Sequence, residues 1–327
     1  MQRTSPPPLH AALATWSHWD FQPLNLHGVT LGGLIEQLQY VFAPQIVNGL
    51  SIGVAVILMA LGLTIIFGLL DVINMAHGEF YALGAYLGVS LMAVGVSFWL
   101  CLIVVPVMML PAGYLVDRLL IQRVFARKDR HILTLLLTFG LGIVLEDAYR
   151  LVFGPNTLRA DTPIAGATHV FGIYFPNYRL FVMIVGTALI ALVWVVVFRT
   201  GIGAMVRAAA YDRQMASSLG VRVARVYSAT FAFGVALAGL AGVLLAPIYS
   251  VFPTMGNDFL LLAFTVVIVG GMGSIKGAVI AGIALMQIQA IASLYISPVW
   301  TEPLLFGVMV LVLMWRPQGL FGKLGNA

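Results

Sequence analysis

Residues 46–70 read IVNGLSIGVAVILMALGLTIIFGLL, an uncharged apolar run longer than the roughly 20 residues a helix needs to cross a bilayer. It is followed at once by DVINMAHGEF, residues 71–80, which places Asp71, Asn74, His77 and Glu79 between this run and the next. Working outward, further apolar runs lie at about 80–97, 98–117, 132–153, 180–198, 226–247, 259–273, 277–297 and 303–315. By the ~20-residue criterion they predict an all-α, polytopic transmembrane bundle of eight or nine membrane segments. The shortest runs are compatible with re-entrant segments.

Composition agrees with this reading. Of 327 residues 61% are hydrophobic and 9% charged, against about 25% charged in a typical soluble domain. Residues 29–327 therefore read as a single membrane domain with no room for a soluble catalytic one. The formal charge of +5 comes from basic residues spread over short loops, not from a patch with interleaved aromatics of the kind that binds nucleic acid. The lone cysteine, Cys101, sits in an apolar run and excludes both a disulfide framework and a cysteine metal site. Residues 1–28, with Arg3 followed by Ser5-Pro6-Pro7-Pro8, lack the apolar core of a cleavable signal and are expected to be retained and loosely ordered. Leu31, Leu34, Ile35, Leu38, Val41 and Phe42 recur at helical spacing, which predicts an interfacial helix that does not cross.

Lysine and arginine in short loops set orientation, because cytoplasmic loops carry the excess. One loop holds Arg118, Arg123, Arg127, Lys128 and Arg130, and another holds Arg199, Arg207, Arg213, Arg222 and Arg225. Both are expected inside. Parity then puts the connections at 154–178 and 249–258 outside, and Lys276 and the tail with Arg316 and Lys323 inside. Small residues four apart (Gly49/Gly53, Gly84/Gly88, Gly234/Ala238/Gly242, Gly273/Gly277) read as close helix contacts rather than ligand sites.

Three segments carry the candidate chemistry. In the first, Asn74, His77 and Glu79 are either a solvated inner loop whose acid caps the next helix, a gate or pathway lining, or a proton or metal site. In the second, residues 201–225 are too polar to cross and too long for a turn. Here a helix is expected from Ala204 to Leu219, stopped by Gly220, either resting on headgroups or docked as a lever into a soluble partner. In the third, Gly270, Gly271, Gly273, Ser274 and Gly277 imitate a nucleotide loop. However, Ile275 precedes Lys276 and Gly277 follows it, which is not Walker spacing. A broken helix or a tight turn between helices remains. Asn48 and Gln287 fall inside apolar runs and are added as pathway candidates, and Glu146, Asp147 and Arg150 read as an intrahelical ion pair.

Taken together, INMAHGE, MVRAAAYDRQMASSLGV, GGMGSIKGA and the tail RPQGLFG, in this order and at these spacings, closely resemble the permeases of branched-chain amino acid ATP-binding-cassette transporters, over roughly residues 44–323. The resemblance implies a bacterial inner-membrane permease subunit with a cytoplasmic C-terminus, moving a branched-chain amino acid or related small amino or organic acid. It implies a second, related permease, two cytoplasmic ATPases and a periplasmic solute-binding protein as partners. It also implies that no cofactor is held by this chain, ATP and Mg being bound by the ATPases, and that the chain is not itself an enzyme. By the same resemblance, Arg207, Tyr211, Asp212, Met215, Ala216, Leu219 and Gly220 belong to the ATPase-coupling segment, with Tyr211 standing where relatives often carry an acid. A secondary transporter or channel for a small solute is the alternative reading.

Overall fold

The computed structural model describes residues 41–322 apart from 126, 128, 171 and 172. The extension 1–28 and the expected interfacial helix up to residue 40 lie outside the described residues. Phe42 already has helical backbone and leads directly into α1, Ala43–Leu70. The other helices are α2 (His77–Ala93), α3 (Phe98–Val116), α4 (Arg130–Phe153), α5 (Asn177–Arg199), α6 (Gly201–Tyr211), α7 (Arg213–Ser218), α8 (Val223–Leu245), α9 (Met255–Gly270), α10 (Ile275–Ala292) and α11 (Pro298–Trp315). Each apolar run of the sequence has become a helix, since a backbone in lipid must satisfy its polar groups internally. The run expected to end at residue 117 continues through a π-turn, Asp117–Ile121, to Phe125. Residues 154–178, legible only as a connection, carry an antiparallel hairpin of β1 (Ala167–Val170) and β2 (Ile173–Pro176), with Thr168 opposite Phe175.

Among the described residues, six helices are long and apolar enough to cross a membrane by length and composition alone. Two of these, α1 and α8, form the centre: 83% and 89% of their most apolar windows are buried, against 22%, 17% and 22% for the peripheral α3, α4 and α5. Glycines permit the central contacts. A carbon added to Gly84 on α2 would overlap the Gly239 backbone of α8, and one on Gly62 of α1 would lie 2.6 Å from the Gly234 carbonyl oxygen. The stripes Gly49/Gly53, Gly84/Gly88 and Gly234/Ala238/Gly242 are thus helix contacts, as their spacing predicts, whereas Gly273 lies in the turn between α9 and α10 and Gly273/Gly277 is no helix stripe.

The connections group as the charge pattern requires. Leu158 and Val251, in the two connections expected on the outer side, exchange backbone hydrogen bonds of 2.8 Å in each direction. On the opposite side, Gln122 donates to the Ala224 carbonyl at 3.0 Å. There too, Leu320 N–H of the tail donates to the Val269 carbonyl at 2.8 Å.

α2 and α9 depart from simple crossings. At 17 and 16 residues they rise about 26 and 24 Å, short of the roughly 30 Å hydrocarbon thickness. α1 ends where Asp71 turns left-handed at φ 51°. The chain then runs back alongside the bundle in non-helical form through residues 72–74, and after a turn at Met75–Ala76 starts α2 beside the middle of α1 and α4. The simple inner-loop reading of Asp71 to Glu79 is therefore corrected: the segment re-enters.

Candidate functional site

Asp71 is the pivot of the re-entry. Its N–H caps α1 through the Phe67 carbonyl at 2.8 Å, and its own carbonyl lies 2.9 Å from His131 Nδ1 at the start of α4. Further in, Met75 N–H donates to Thr138 Oγ1 at 3.1 Å, and Asn74 Oδ1 accepts from Ala76 N–H at 3.1 Å. These bonds satisfy part of the backbone of a segment that has no ladder of its own.

α2 then begins with His77, Gly78 and Glu79, all buried. His77 Nε2 lies 3.1 Å from the Met59 carbonyl oxygen, which assigns the ring proton to Nε2. That carbonyl sits in the interior of α1, and a carbon on Gly62, one turn along, would touch the imidazole at 3.2 Å. Gly78 lies against Gly256 in the first turn of α9, where a carbon on Gly78 would fall 2.7 Å from Leu260 Cβ. A carbon on Gly256 would in turn fall 2.6 Å from Glu79 Cδ. The first turns of two short helices thus converge on one carboxyl group. Helix N-termini carry partial positive charge, and discontinuous helices meeting at depth are a recurrent way of building polar sites in transporters.

Tyr149 of α4 closes the cluster, its hydroxyl donating to the Glu79 carbonyl at 2.7 Å while its ring stacks on Tyr86 at 5.1 Å. Asn74 Nδ2, His77 Nδ1, Glu79 Oε2 and Thr64 Oγ1 are buried without a hydrogen-bond partner among the described residues. Polar groups left in this condition are costly; they are retained where a site needs them. Among the described residues no group of three His, Cys, Asp or Glu side chains is placed to hold a metal ion.

Glu146, Asp147 and Arg150 do pair within α4. Glu146 also accepts from Asn257 Nδ2 at 2.9 Å, so the pair braces the start of α9 beside Gly256.

The surface segment divides where one helix was expected. Thr200 turns extended after α5 and caps α6 through Gly203 N–H at 3.2 Å. Asp212 turns extended again, at φ −148°, and its carboxylate accepts from Gln214 and Met215 N–H at 2.8 and 2.9 Å. An aspartate that prefers to cap overrides an alanine-rich helical run. Gly220, at φ +85°, then ends α7 in a Schellman arrangement, with Val221 N–H bonded to the Ala216 carbonyl at 3.1 Å and Gly220 N–H to Ser217 at 3.0 Å.

The seven residues expected to act together here split by direction. Tyr211 at the end of α6, Met215 in α7 and Leu219 at its C-terminal cap are 92%, 62% and 78% exposed. Ala216 is buried. Arg207 turns back on α5, donating to the Val197 carbonyl and lying over the Phe198 ring at 5.6 Å; it anchors the bracket rather than projecting from it.

The glycine loop is a tight turn between α9 and α10. Gly271 and Gly273 have φ of +100° and +81°, and Ser274 caps α10 through Gly277 N–H at 3.1 Å. A carbon on Gly271 would fall 2.8 Å from Gly322 Cα, and Phe321 N–H donates to the Gly270 carbonyl at 3.0 Å. Two motifs fifty residues apart are thus one structure. Asn48 and Gln287 lie at the α1–α10 crossing. Gln287 Nε2 donates to the Ile46 carbonyl at 3.0 Å, and Asn48 Nδ2 to Gln45 Oε1 at 3.2 Å.

Sequence reasoning missed Gly256, Tyr149 and Thr138. The only signal for Gly256 was a glycine opening an apolar run, and nothing marked the other two.

Comparison with known proteins fits this architecture. The family described as "Branched-chain amino acid transport system / permease component" matches residues 45–314. The high-affinity branched-chain amino acid transport system permease protein LivH of Salmonella typhimurium is 31% identical over 303 residues, covering 88% of this chain and 97% of that protein. LivH of Escherichia coli is 32% identical over 309 residues at the same coverage. LivM of Escherichia coli is 29% identical over 81% of this chain and 67% of its own length. With a matching family that spans most of the sequence and relatives of this closeness, the chain belongs to the permease-component family of branched-chain amino acid transport systems.

Proposed function

We propose that this chain is the pathway-forming subunit of an ATP-driven importer for a branched-chain amino acid or a similarly small amino or organic acid. In this reading it sits in the bacterial inner membrane with its C-terminus in the cytoplasm. It works beside a second, related permease, receives solute from a periplasmic binding protein, and takes its drive from two cytoplasmic ATPases that alone bind ATP and Mg. The chain itself performs no chemistry on the solute.

The observation that carries this is the α6–α7 bracket. Tyr211, Met215 and Leu219 leave apolar surface exposed on the bracket, while Arg207 and buried Ala216 fix its back to the bundle and the Asp212 cap sets the joint between its two helices. A rigid apolar ridge on the basic side of a membrane protein fits a groove in a soluble partner and transmits displacement from it. α8 begins three residues after Gly220 and runs through the buried centre. A push on the ridge therefore reaches the core directly, where α8 packs on α2, which opens with His77 and Glu79.

Because the centre of the bundle is filled, the proposed path runs along a face shared with the second permease. Gln287 is placed for such a face: it stands among exposed Ile280, Ile283 and Ile291 of α10 at helical spacing.

The test is reconstitution in liposomes with the partner chains encoded beside it, measuring ATP-dependent uptake of radiolabelled leucine. Uptake that requires ATP, and that Met215→Glu abolishes while membrane insertion persists, is the expected result. Uptake driven by a proton or sodium gradient without ATPases would replace this reading with that of a secondary transporter.

A further inference from the structure

On the basic side of the bundle, between the end of α3 and the junction of α7 with α8, lies a cavity of about 680 Å³. Arg118, Arg213, Arg222 and Arg225 line it together with Ser217 and Ser228, and no carboxylate does. All four arginines are exposed, and two of them have partners in the wall. Arg213 lies over the Tyr227 ring at 5.5 Å, and Arg118 Nη1 donates to Gln122 Oε1 at 2.9 Å. Asp117 is fully buried behind Ser228, from which it accepts at 2.7 Å, and it also accepts from Gln122 at 2.8 Å. Among the described residues every ion pair involves Arg150; buried Asp117 attracts Arg118 from behind the wall, but no carboxylate lines the cavity beside Arg213, Arg222 and Arg225. Their mutual repulsion in a partly enclosed cavity calls for an anion.

The shape of the surroundings selects which anion. Val107, Leu110 and Tyr114 on α3 are 58%, 39% and 41% exposed and fall three and four residues apart on one helical face, which leads to Arg118. Tyr114 and Arg118 both line the cavity. An apolar track on the outer wall of a peripheral helix thus opens into a basic cavity where the helix leaves the apolar layer. A free phosphate has no use for the track, and an acidic peptide would leave it bare. Basic pockets between helix ends at the membrane surface suit phospholipid headgroups.

We infer that this cavity binds the phosphate headgroup of an anionic phospholipid whose acyl chain lies along Val107, Leu110 and Tyr114. Arg213 and Ser217 belong to α7 while Arg118 and Arg225 belong to the ends of the bundle helices, so the bound headgroup fastens the exposed ridge to the core. Anionic lipid is then a structural part of the lever.

The test is native mass spectrometry of the full-length chain from detergent, titrated with phosphatidylglycerol and, separately, with phosphatidylethanolamine. The expected result is retention of phosphatidylglycerol in preference to phosphatidylethanolamine, and roughly thirtyfold weaker retention in Arg222→Gln/Arg225→Gln at about one charge's worth of attraction per arginine. Arg199→Gln, which lies over Trp194 away from the cavity, is expected to retain lipid normally. If the double variant does not elute as a monodisperse species, Arg222→Gln alone carries the test with a loss of about fivefold. Equal retention of both lipids, or unchanged retention in the arginine variants, overturns the inference. Displacement of the lipid by millimolar inorganic phosphate overturns it in favour of a soluble-phosphate site, and release of the lipid on assembly with the partner chains overturns it in favour of an acidic partner segment.

Discussion

Glu79 and Gly256 face each other across the first turns of two helices that both start inside the bundle: a single carbon added to Gly256 would stand 2.6 Å from Glu79 Cδ and 2.8 Å from Oε2. No local feature of either segment requires this meeting. It exists because α2 and α9 are both too short to cross and are packed side by side.

Gly256→Ala is therefore expected to displace the Glu79 side chain, lowering stability by about 1–3 kcal/mol, as overpacking of a filled site does. The double variant Gly256→Ala/Glu79→Ala removes the obstruction and is expected to melt close to Glu79→Ala alone. Thermal unfolding of the four proteins in one detergent measures the coupling; strictly additive losses would mean that the two residues do not meet.

Tyr149→Phe deletes the hydroxyl that donates to the Glu79 carbonyl at 2.7 Å while keeping the ring stacked on Tyr86 at 5.1 Å. Hydrogen bonds between membrane helices average about 0.6 kcal/mol, so a small fall in melting temperature is expected, with insertion intact. Transport is expected to fall more than stability, because the bond positions the start of α2.

Asp212→Ala removes the cap at the joint between α6 and α7. A cost of about 1 kcal/mol is expected, felt locally as faster amide exchange at Gln214 and Met215 with the core unchanged. In the reconstituted system the same variant is expected to hydrolyse ATP with reduced solute uptake. Asp212→Asn, which keeps an accepting oxygen, is expected to restore most of the coupling.

Helix glycines are expected to divide sharply. Gly84→Ala drives a carbon into the Gly239 backbone of α8, which cannot rotate away, so loss of the folded protein from membranes is expected. Gly140→Ala and Gly307→Ala meet nothing within 4 Å and remove a helix-weakening residue, for neutral or slightly positive effects of up to about 1 kcal/mol. Fluorescence-detected size exclusion of the three variants separates the two classes.

How much of this was legible beforehand differs from residue to residue. The run 46–70 announced a membrane helix by length and apolarity alone, and the glycine spacing at Gly84 and Gly88 announced close packing without naming Gly239 and Val243 as the neighbours. Gly220 was readable as a helix stop because only glycine takes a positive φ there freely. Asp212 was read as helical, and its capping of Gln214 and Met215 was missed, because alanine-rich propensity pointed one way and a single side-chain acceptor decided the other. His77 and Glu79 were legible as polar residues in the wrong solvent, but their depth was not.

By itself the sequence determined the solvent and the element type of this protein: the local apolarity of each run sets which segments leave water, and the backbone's need for internal hydrogen bonds then makes them helices. The even number of long apolar runs between two connections likewise puts them on one side, and Leu158 pairs with Val251 accordingly. Only the tertiary structure decided that residues 71–76 turn back into the bundle, that the tail at Phe321 locks onto the turn at Gly270, and that Glu79 meets Gly256. Those outcomes depend on contacts between residues tens to hundreds of positions apart, where the absence of a single Cβ on each side fixes how closely two helices approach, and no periodicity within one segment records which partner it will meet.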